Sequence, residues 1–450
     1  MLCALPIETS ARELDGVLYL VLHLADRSLP CLIGERMVNR IIQEQNKPVI
    51  YFDIDQEASY NRTVLNMGGK VISIHPEGIN MFDSPSILSQ FTSIIDDVTE
   101  LCVWGQAQAD LVGKTVAVEG RAKVKGVGYP SFDLVKQKFN EYYEQKSIID
   151  KHGRDYILIN TNFSYGNNIM GFDKWIEMVS DSGGLDYFKQ EQHVKFVHGL
   201  AHYQLKLIDY YISLANELSE QFPDRHIIFR PHPSENPELY KQAFVDKKNI
   251  FVTKEGGVRS WIASSGPVIH HDCTTGIEAL LMGRTVINYR PVFEEKIAAP
   301  IPALAGVKTE TPAQVVDLIK SGFLSEQLME EQIKAIEPYF STVNHSASQA
   351  LAVLAASYGT DGPATLPDKP SFKARFKNCS LYLSRKLKVS YPDWFYADKK
   401  KKAMNALSKF PRLTKAEIEH RIEKLRKIDS ELPQVDVKQL CLNTFIITPV

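Results

Sequence analysis

Two short segments of the sequence place side chains that could bind phosphate directly after apolar runs. The first is IIFRPHP (227–233), in which Arg230 and His232 lie two positions apart at the end of a predicted strand. Side chains two apart on a strand face the same side, and the flanking prolines restrict the backbone around His232. Arginine suits a phosphate, and histidine can donate to one or act as a general acid or base. A surface turn before a helix would also explain these residues.

The second segment is HHDCTTGIEALLMG (270–283), where a predicted strand gives way to a helix. Thr274, Thr275 and Gly276 fall in the first turn of that helix, whose free N–H groups and dipole favour an anion. Glu278, one turn further along, could accept hydrogen bonds from a ribose. An ordinary core helix capped by threonine is the structural alternative.

Three side chains just before this helix could be read as a metal cluster: His270, His271 and Asp272. His270 and His271 are adjacent on the predicted strand, so their side chains point to opposite faces and cannot hold one ion together. We therefore expect no metal site and no cofactor, and we place His271 among the candidate nucleotide ligands.

Strand and helix patterns alternate along most of the chain, and this alternation positions both segments at strand ends. Short β-rich runs such as KPVIYFDID alternate with amphipathic stretches, which is typical of βαβ units with parallel sheets. We expect two α/β domains, residues 1–150 and 151–358, followed by a linker and a basic helical tail at 359–450. Open parallel sheets bind ligands at the carboxyl ends of their strands. The predicted site is therefore a cleft between the two domains.

The first domain offers two acidic candidates at predicted strand ends. Glu77 in ISIHPEG (72–78) precedes a glycine turn, and its carboxylate could act as a general base toward an acceptor hydroxyl. A polar strand end without a catalytic role is the alternative for Glu77. Glu8, in PIE, could line an acceptor pocket.

The charge of the chain is divided between its two parts. Residues 369–427 contain 18 Lys and Arg against 5 Asp and Glu, whereas residues 1–368 contain 33 bases and 46 acids. Aromatic and basic residues interleave over 371–402, a pattern that suits an anionic membrane surface. A helix packed back on the first domain is the alternative. Nucleic-acid binding is not expected, because no recognition motif accompanies the charge.

The six cysteines are scattered without a CxxC pair, and no apolar run approaches the length of a membrane span. The start of the chain does not read as a secretory signal. These features predict reduced thiols and a cytoplasmic protein, peripheral on the inner face of the cytoplasmic membrane if the basic tail docks there.

Taken together, these segments resemble known families. RPHP followed by a hydroxyl pair and GIEALLMGRTVINYRP is similar to the C-terminal domain of GT-B-fold glycosyltransferases that use CMP-activated sugars, such as sialyltransferases and β-Kdo transferases. CDP-polyol phosphotransferases of wall teichoic acid share a related pattern. LPIETSARELDGVLYLVLHLADRSLPCLIG, ILINTNFSYGNN and LTKAEIEHRIEKL resemble more closely the bacterial surface carbohydrate biosynthesis protein family. The resemblance implies a GT-B-like α/β fold with two Rossmann-like domains.

The resemblance also implies roles for individual residues. His232 would contact the donor phosphate and assist departure of the leaving group. Thr274 and Thr275 would bind the nucleotide phosphate, and Glu278 would hold the ribose. The further implied residues are Arg259 as a phosphate ligand, Glu77 as the acid of an acid-glycine motif, and Asn162, Asn167 and Asn168 as sugar or acceptor contacts. Those asparagines stand in a segment where no acidic nucleophile can be placed.

The sequence thus predicts a glycosyltransferase of bacterial surface polysaccharide (capsule or O-antigen) biosynthesis. The expected donor is a nucleotide-activated sugar, a CMP-ulosonic acid such as CMP-Kdo, and the acceptor is a lipid-linked or other glycan. Two alternatives stay open within enzymes, a CDP-polyol phosphotransferase and a UDP-sugar 2-epimerase-like enzyme. A non-catalytic partner that binds a nucleotide sugar is a third alternative.

Overall fold

The structure is a computed structural model of the chain. It describes every residue except 55–56, 75–84, 182–190, 295–296, 298, 323–324, 360–363, 368, 391–399, 401–402, 405 and 408. The described residues form two compact units, each with its own sheet and its own hydrophobic core. Each unit combines helices with a mostly parallel sheet, as the predicted α/β fold class requires.

The strands of the described residues are, in chain order, β1 (Leu2–Pro6), β2 (Cys31–Gly34), β3 (Val49–Asp53), β4 (Lys70–Ile74), β5 (Glu100–Val103), β6 (Val124–Gly126), β7 (Tyr156–Asn160), β8 (Ile227–Arg230), β9 (Ile250–Val252), β10 (Ser265–His270), β11 (Val286–Tyr289), β12 (Val307–Thr309), β13 (Val435–Cys441) and β14 (Thr444–Pro449).

The α-helices are α1 (Ser10–Ala25), α2 (Met37–Gln45), α3 (Ala58–Asn66), α4 (Pro85–Ser93), α5 (Gln106–Thr115), α6 (Val118–Arg121), α7 (Pro130–Asp133), α8 (Asn140–Tyr143), α9 (Lys146–His152), α10 (Phe172–Asp181), α11 (Glu191–Gln221), α12 (Pro237–Ala243), α13 (Val258–Ser264), α14 (Thr274–Leu281), α15 (Pro312–Ser321), α16 (Glu326–Ile336), α17 (Ala347–Ser357), α18 (Phe372–Val389) and α19 (Lys415–Ile428).

The first unit combines both ends of the chain, Met1–Gly78 and Phe82–Leu134 with Glu337–Val450. Its sheet has the order β13-β14-β2-β1-β3-β4-β5-β6, in which β1 to β6 are parallel and the last two strands are antiparallel additions at one edge. The LCALP run of β1 is buried along its whole length, as expected of a parallel strand covered on both faces. One apolar core joins this sheet to α2, α3 and α5.

The second unit contains Val135–Ile336. Its sheet is parallel throughout, with the order β12-β11-β10-β7-β8-β9. The central strand β7 (YILIN) is buried from end to end, and an apolar core joins alternate residues of the sheet to the long helix α11. The two strands that carry the sequence motifs, β8 and β10, lie on either side of β7.

The units divide the chain at other positions than the expected boundaries at 150 and 358. Residues 135–150 belong to the second unit, and residues 337–358 belong to the first. Packing gives the reason for the later boundary. Asp133 accepts the backbone N–H groups of Ala347 and Ser348 at 2.8 and 2.7 Å, and the Trp104 ring lies 5.8 Å from that of Phe340. These contacts fasten the start of α17 to the first unit.

The tail predicted at 359–450 also belongs to the first unit. Its helical character is confirmed for α18 and α19, and α19 begins at a capping box between Thr414 and Glu417. The chain then ends in two strands that the sequence did not predict, with Ile446 of β14 opposite Leu32 of β2. Among the described helices, none combines the length and the apolar character that a membrane span requires.

Candidate functional site

The carboxyl ends of three neighbouring strands in the second unit bring the predicted motifs together. His270 at the end of β10 pairs in register with Asn160 of β7, and Asn160 pairs with Arg230 of β8. Paired residues of parallel strands point to the same face of a sheet. The segment that contains His232 and the start of α14 therefore follow directly from adjacent strand ends.

The His232 side chain is fixed in one tautomer by its own turn. The backbone N–H of Ser234 donates to His232 Nδ1 at 3.2 Å, so Nδ1 is an acceptor and the neutral ring carries its proton on Nε2. Burial lowers the pKa of His232, and the nearby charge of Lys254 lowers this pKa further. At neutral pH the ring is therefore an uncharged donor through Nε2.

A buried carboxylate that the sequence analysis missed organises the His232 turn. Glu235 is 0% exposed, and its Oε1 accepts from the backbone N–H of His232 at 3.0 Å and from Phe163 N–H at 3.0 Å. The same oxygen accepts from Thr161 Oγ1 at 2.8 Å, while Oε2 accepts from the Tyr240 hydroxyl. Burial raises the pKa of Glu235, an effect that its hydrogen bonds oppose. The carboxylate thus ties the turn to the segment after β7.

Two of the three predicted asparagines join this same pair of loops. Asn167 Nδ2 donates to Asn236 O at 2.9 Å, and Asn236 N–H donates back to Asn167 O at 2.9 Å. Asn168 Oδ1 accepts Met170 N–H at 2.9 Å, which closes a local turn. Asn162 is half-buried, and its carbonyl accepts from Gln204 Nε2 at 3.0 Å. The structure therefore gives Asn167 and Asn168 structural bonds within the loops that flank His232.

The start of α14 packs tightly against the His270 ring. His270 Nε2 lies 2.9 Å from Ala305 O, and its Nδ1 accepts Cys273 N–H at 3.1 Å. A Cβ placed on Gly276 would lie 2.4 Å from that ring, so only glycine lets the helix approach so closely. Gly276 therefore has a packing role, in addition to any role beside a ligand.

One hydroxyl and one amide near this helix start have buried polar atoms without a hydrogen-bond partner among the described residues. Thr274 and Thr275 are half-buried in the first turn, and Thr275 Oγ1 has no hydrogen-bond partner among the described residues. Asn160 is 3% exposed, and neither its Oδ1 nor its Nδ2 has a partner in the described part of the chain. As the ladder partner of His270, Asn160 faces the side of the sheet on which α14 packs. Most buried polar atoms in proteins are hydrogen-bonded, so these atoms are candidates to donate to or accept from a bound ligand.

Two of the predicted ligands are bonded to each other. Arg259 Nε donates to Glu278 Oε2 at 2.6 Å, and Arg259 Nη1 lies 3.1 Å from the Tyr143 hydroxyl. Burial by itself would lower the pKa of Arg259, but the Glu278 carboxylate and Tyr143 raise that pKa above its ordinary value. The ion pair therefore holds Glu278 in one orientation at the first turns of α14.

Two further predicted residues are engaged within the protein. Arg230 Nη1 donates to Glu255 O at 2.7 Å, its Nη2 donates to Gly256 O, and burial lowers its pKa to about 10. His271 lies 3.1 Å from the Tyr203 hydroxyl, and burial lowers its pKa to about 4. Arg230 thus shapes the loop after β9, and His271 is a neutral side chain of the interior.

Asp272, two positions before α14, is held in an unusual backbone conformation. Asp272 has a φ of 42°, and its carboxylate accepts from Asn288 Nδ2 at 2.9 Å and from Arg290 Nη2 at 3.2 Å. Such a positive φ is uncommon outside glycine and is kept only where surrounding bonds enforce it. Neither Asn288 nor Arg290 was predicted from the sequence as a site residue. The described residues contain no group of acidic, histidine and cysteine side chains able to hold a metal.

Of the two acidic candidates in the first unit, the structure describes only Glu8. Glu8 accepts from Lys409 Nζ at 2.7 Å, and this bond lowers the pKa of Glu8. Glu77 lies outside the described residues. The first unit therefore presents Glu8 as one half of an ion pair, and the role of Glu77 stays a prediction.

A cavity in the second unit lies beside the edge strand β9. It has a volume of about 480 Å³, and its lining includes His152, Phe251 and Trp261. The Glu255–Gly256 segment held by Arg230 forms part of its wall, whereas His232, Thr274 and Thr275 do not line it. This cavity is therefore distinct from the polar atoms at the start of α14.

Comparisons with known proteins identify the fold. No protein-family model matches the chain, and no curated protein matches it either. A protein from Listeria monocytogenes, provisionally described as a UDP-N-acetylglucosamine 2-epimerase, is similar at 12% identity and a TM-score of 0.51, and the match covers 81% of this chain and 99% of that one. A variant of the wall teichoic acid polymerase TagF soaked with CDPG is similar at 11% identity and a TM-score of 0.50, covering 79% and 88%. Both are GT-B-fold enzymes, so the predicted GT-B-like α/β fold is confirmed.

Proposed function

We propose that this protein is a glycosyltransferase of bacterial surface polysaccharide biosynthesis that uses a nucleotide-activated sugar. The observation that carries the proposal is the start of α14, where Thr275 Oγ1 and the Asn160 amide have no hydrogen-bond partners within the described part of the chain. A helix start with free N–H groups and hydroxyls binds phosphate. A neutral His232 donor follows the strand on the other side of β7, as a leaving phosphate would require.

Each residue has one role in this proposal. Thr274 and Thr275 bind the nucleotide phosphate with the N–H groups of the first turn, and Asn160 supplies both a donor and an acceptor to the same nucleotide. Glu278, held by Arg259, accepts from the ribose. His232 donates its Nε2 proton toward the phosphate oxygen on which charge develops as the sugar departs.

The donor we propose is a CMP-linked ulosonic acid such as CMP-Kdo, and the acceptor is a lipid-linked or other glycan of a capsule or O-antigen. The charge on a monophosphate leaving group needs little neutralisation by cations. The proposed transfer therefore proceeds without a metal ion. The reaction takes place at the cytoplasmic face of the membrane, where such glycans are assembled. Glu77 is the candidate base toward the acceptor hydroxyl.

Similar folds supply the second candidate functions. One similar structure is that of a protein described as a UDP-sugar 2-epimerase, and the other is that of a teichoic acid polymerase soaked with CDPG. A UDP-sugar 2-epimerase-like enzyme or a CDP-polyol phosphotransferase would use the same helix start for a diphosphate. A non-catalytic partner would bind the nucleotide sugar there without turning it over.

Calorimetry with CMP, CDP and UDP tests the site. Thr275→Val keeps the shape of the side chain and removes the hydroxyl, so nucleotide affinity should fall at least about tenfold, the usual loss for a hydrogen bond to a charged group. Thr311→Val is the matched control, because Thr311 is the N-cap of α15 in the same unit and its side chain accepts from Gln314 N–H in a capping box. Equal affinity of wild type and Thr275→Val would contradict the site.

Turnover separates the candidate functions. Release of CMP from CMP-Kdo in the presence of a glycan acceptor, unchanged by EDTA, supports the transferase. Epimerisation of a UDP-sugar, or transfer of a polyol phosphate from a CDP donor, would replace the proposal with the corresponding alternative. Tight nucleotide-sugar binding without any turnover would indicate the non-catalytic partner.

A further inference from the structure

One face of α18 fastens this helix to the first unit. Ala374 is buried, Asn378 Nδ2 donates to Leu442 O at 3.2 Å, and Arg385 pairs with Glu35 at 3.2 Å. Ser371 caps the helix and donates from its hydroxyl to Glu44 at 3.0 Å. The helix is therefore held in a fixed orientation along the surface of its unit, and its remaining faces are presented to solvent.

The solvent-facing side of α18 carries a stripe of large apolar side chains. Phe372, Phe376, Leu383 and Leu387 are between 58% and 76% exposed. At about 100° per residue these four positions fall within an arc of about 60° on one face of the helix. Large apolar side chains gathered on one exposed face mark a surface that binds another apolar phase. We call these four residues the apolar stripe.

The charges around the apolar stripe indicate what covers it. Lys373 and Lys386 are exposed, and each lies about 40° beyond one border of the stripe. The helix carries six Lys and Arg and no Asp or Glu. The cores of protein interfaces are depleted in lysine, whereas helices that lie in a membrane interface carry lysines beside their apolar face.

We propose that α18 docks this protein on an anionic lipid surface. The apolar stripe enters the boundary between headgroups and acyl chains, and Lys373 and Lys386 extend toward the lipid phosphates on either side. Because α18 is bonded to the first unit, docking fixes the orientation of that unit on the bilayer. The proposal narrows the docking segment expected at 371–402 to one face of one helix, and it does not depend on the identity of the sugar donor.

Cosedimentation of the full chain with vesicles tests the proposal. Wild type should pellet at low salt with vesicles of phosphatidylcholine and phosphatidylglycerol, and should be released as salt screens the charges. Vesicles of phosphatidylcholine alone should bind it weakly. Wild type that stays in the supernatant with the anionic vesicles at low salt would overturn the proposal.

Substitutions on two sides of α18 test whether the apolar stripe is the docking surface. Phe376→Ser with Leu383→Ser should lower the vesicle partition coefficient at least about tenfold, because both side chains lose their apolar transfer energy. Leu381→Ser is the control, since Leu381 is 46% exposed on nearly the opposite side of the same helix. Lys373→Gln and Lys386→Gln should each lower partition about fivefold. Melting curves should show that all variants are folded.

Two results would overturn the docking surface even if wild type binds vesicles. The first is equal loss of binding in Leu381→Ser and in the stripe variant, which would show that the face of the helix does not matter. The second concerns a second copy of the chain as occupant. If light scattering shows a wild-type dimer that the stripe variant converts to a monomer, while vesicle binding is unchanged, the stripe is an interface between copies.

Discussion

Replacing Glu235 with alanine removes a carboxylate that accepts hydrogen bonds from four donors. The side chain is 0% exposed. Thr161 Oγ1, Phe163 N–H and His232 N–H lose the shared oxygen, and the Tyr240 hydroxyl loses the other. A buried donor without an acceptor costs about 1–3 kcal/mol, so four give about 4–12 kcal/mol. Water entering the vacated space favours the lower end, about 4 kcal/mol, which is still a large part of a typical stability of about 5–15 kcal/mol.

Two milder substitutions separate the contributions of the two carboxylate oxygens to this loss of stability. Glu235→Gln keeps an oxygen for the three donors on Oε1 and turns its amide toward Tyr240, so it should cost about 1–2 kcal/mol. Tyr240→Phe leaves the Oε1 bonds intact and should leave the His232 turn in place. Glu238→Ala is the matched control, because Glu238 is an exposed acid paired with Lys241, and exposed pairs contribute about 0–1 kcal/mol.

The assay should report on the turn itself, because a chain of two units need not unfold in one step. Hydrogen exchange of the Phe163 and His232 amides measures their protection directly. Protection should be lost in Glu235→Ala and kept in Glu235→Gln, and urea unfolding should shift in the same order. Unchanged protection and an unchanged unfolding midpoint in Glu235→Ala would refute the reasoning.

Three further predictions concern the other polar side chains of the second unit. His232→Ala should lower kcat more than it raises the donor KM, since the proposed bond forms as charge develops; a change confined to KM in steady-state kinetics would mean ground-state binding only. His271 has its pKa lowered to about 4, so the folded state binds fewer protons than the unfolded state between about pH 6.5 and 4. Stability should therefore fall by up to about 3 kcal/mol on acidification through that window, and His271→Phe should flatten the fall in urea titrations at several pH values. Arg259→Met should destabilise the second unit by about 3 kcal/mol, because Glu278 is left buried and unpaired, and adding Glu278→Gln should restore much of the loss in a double-mutant cycle.

The sequence by itself determined the class of fold and the positions along the chain of the candidate site residues. Alternating apolar runs and amphipathic stretches predict βαβ units because side-chain periodicity follows directly from local backbone geometry. The same local signals predicted the start of α14 at Thr274 and the helices of the basic tail. The polar residues at the ends of β8 and β10 were expected to line one cleft, and the structure places these two strands on either side of β7.

Only the tertiary structure decided which polar side chains remain available. Arg230, Arg259 and Glu278 have the residue types of ligands, but their internal bonds are made with partners brought near by folding. No sequence signal marked Glu235 or Asn160. Both are buried, and whether a buried polar side chain finds a hydrogen-bond partner depends on residues far away in the sequence.

Strand pairing and unit boundaries were also beyond local reasoning. The strand β14 pairs with β2 across most of the chain length, and Asp133 fastens the start of α17 through Ala347 and Ser348. Periodicity reports only on neighbours within a few residues, so it shows that a segment has a strand or helix pattern but not which distant segment it meets. Long-range pairing is set by the total burial and hydrogen bonding of the folded chain, which no single segment contains.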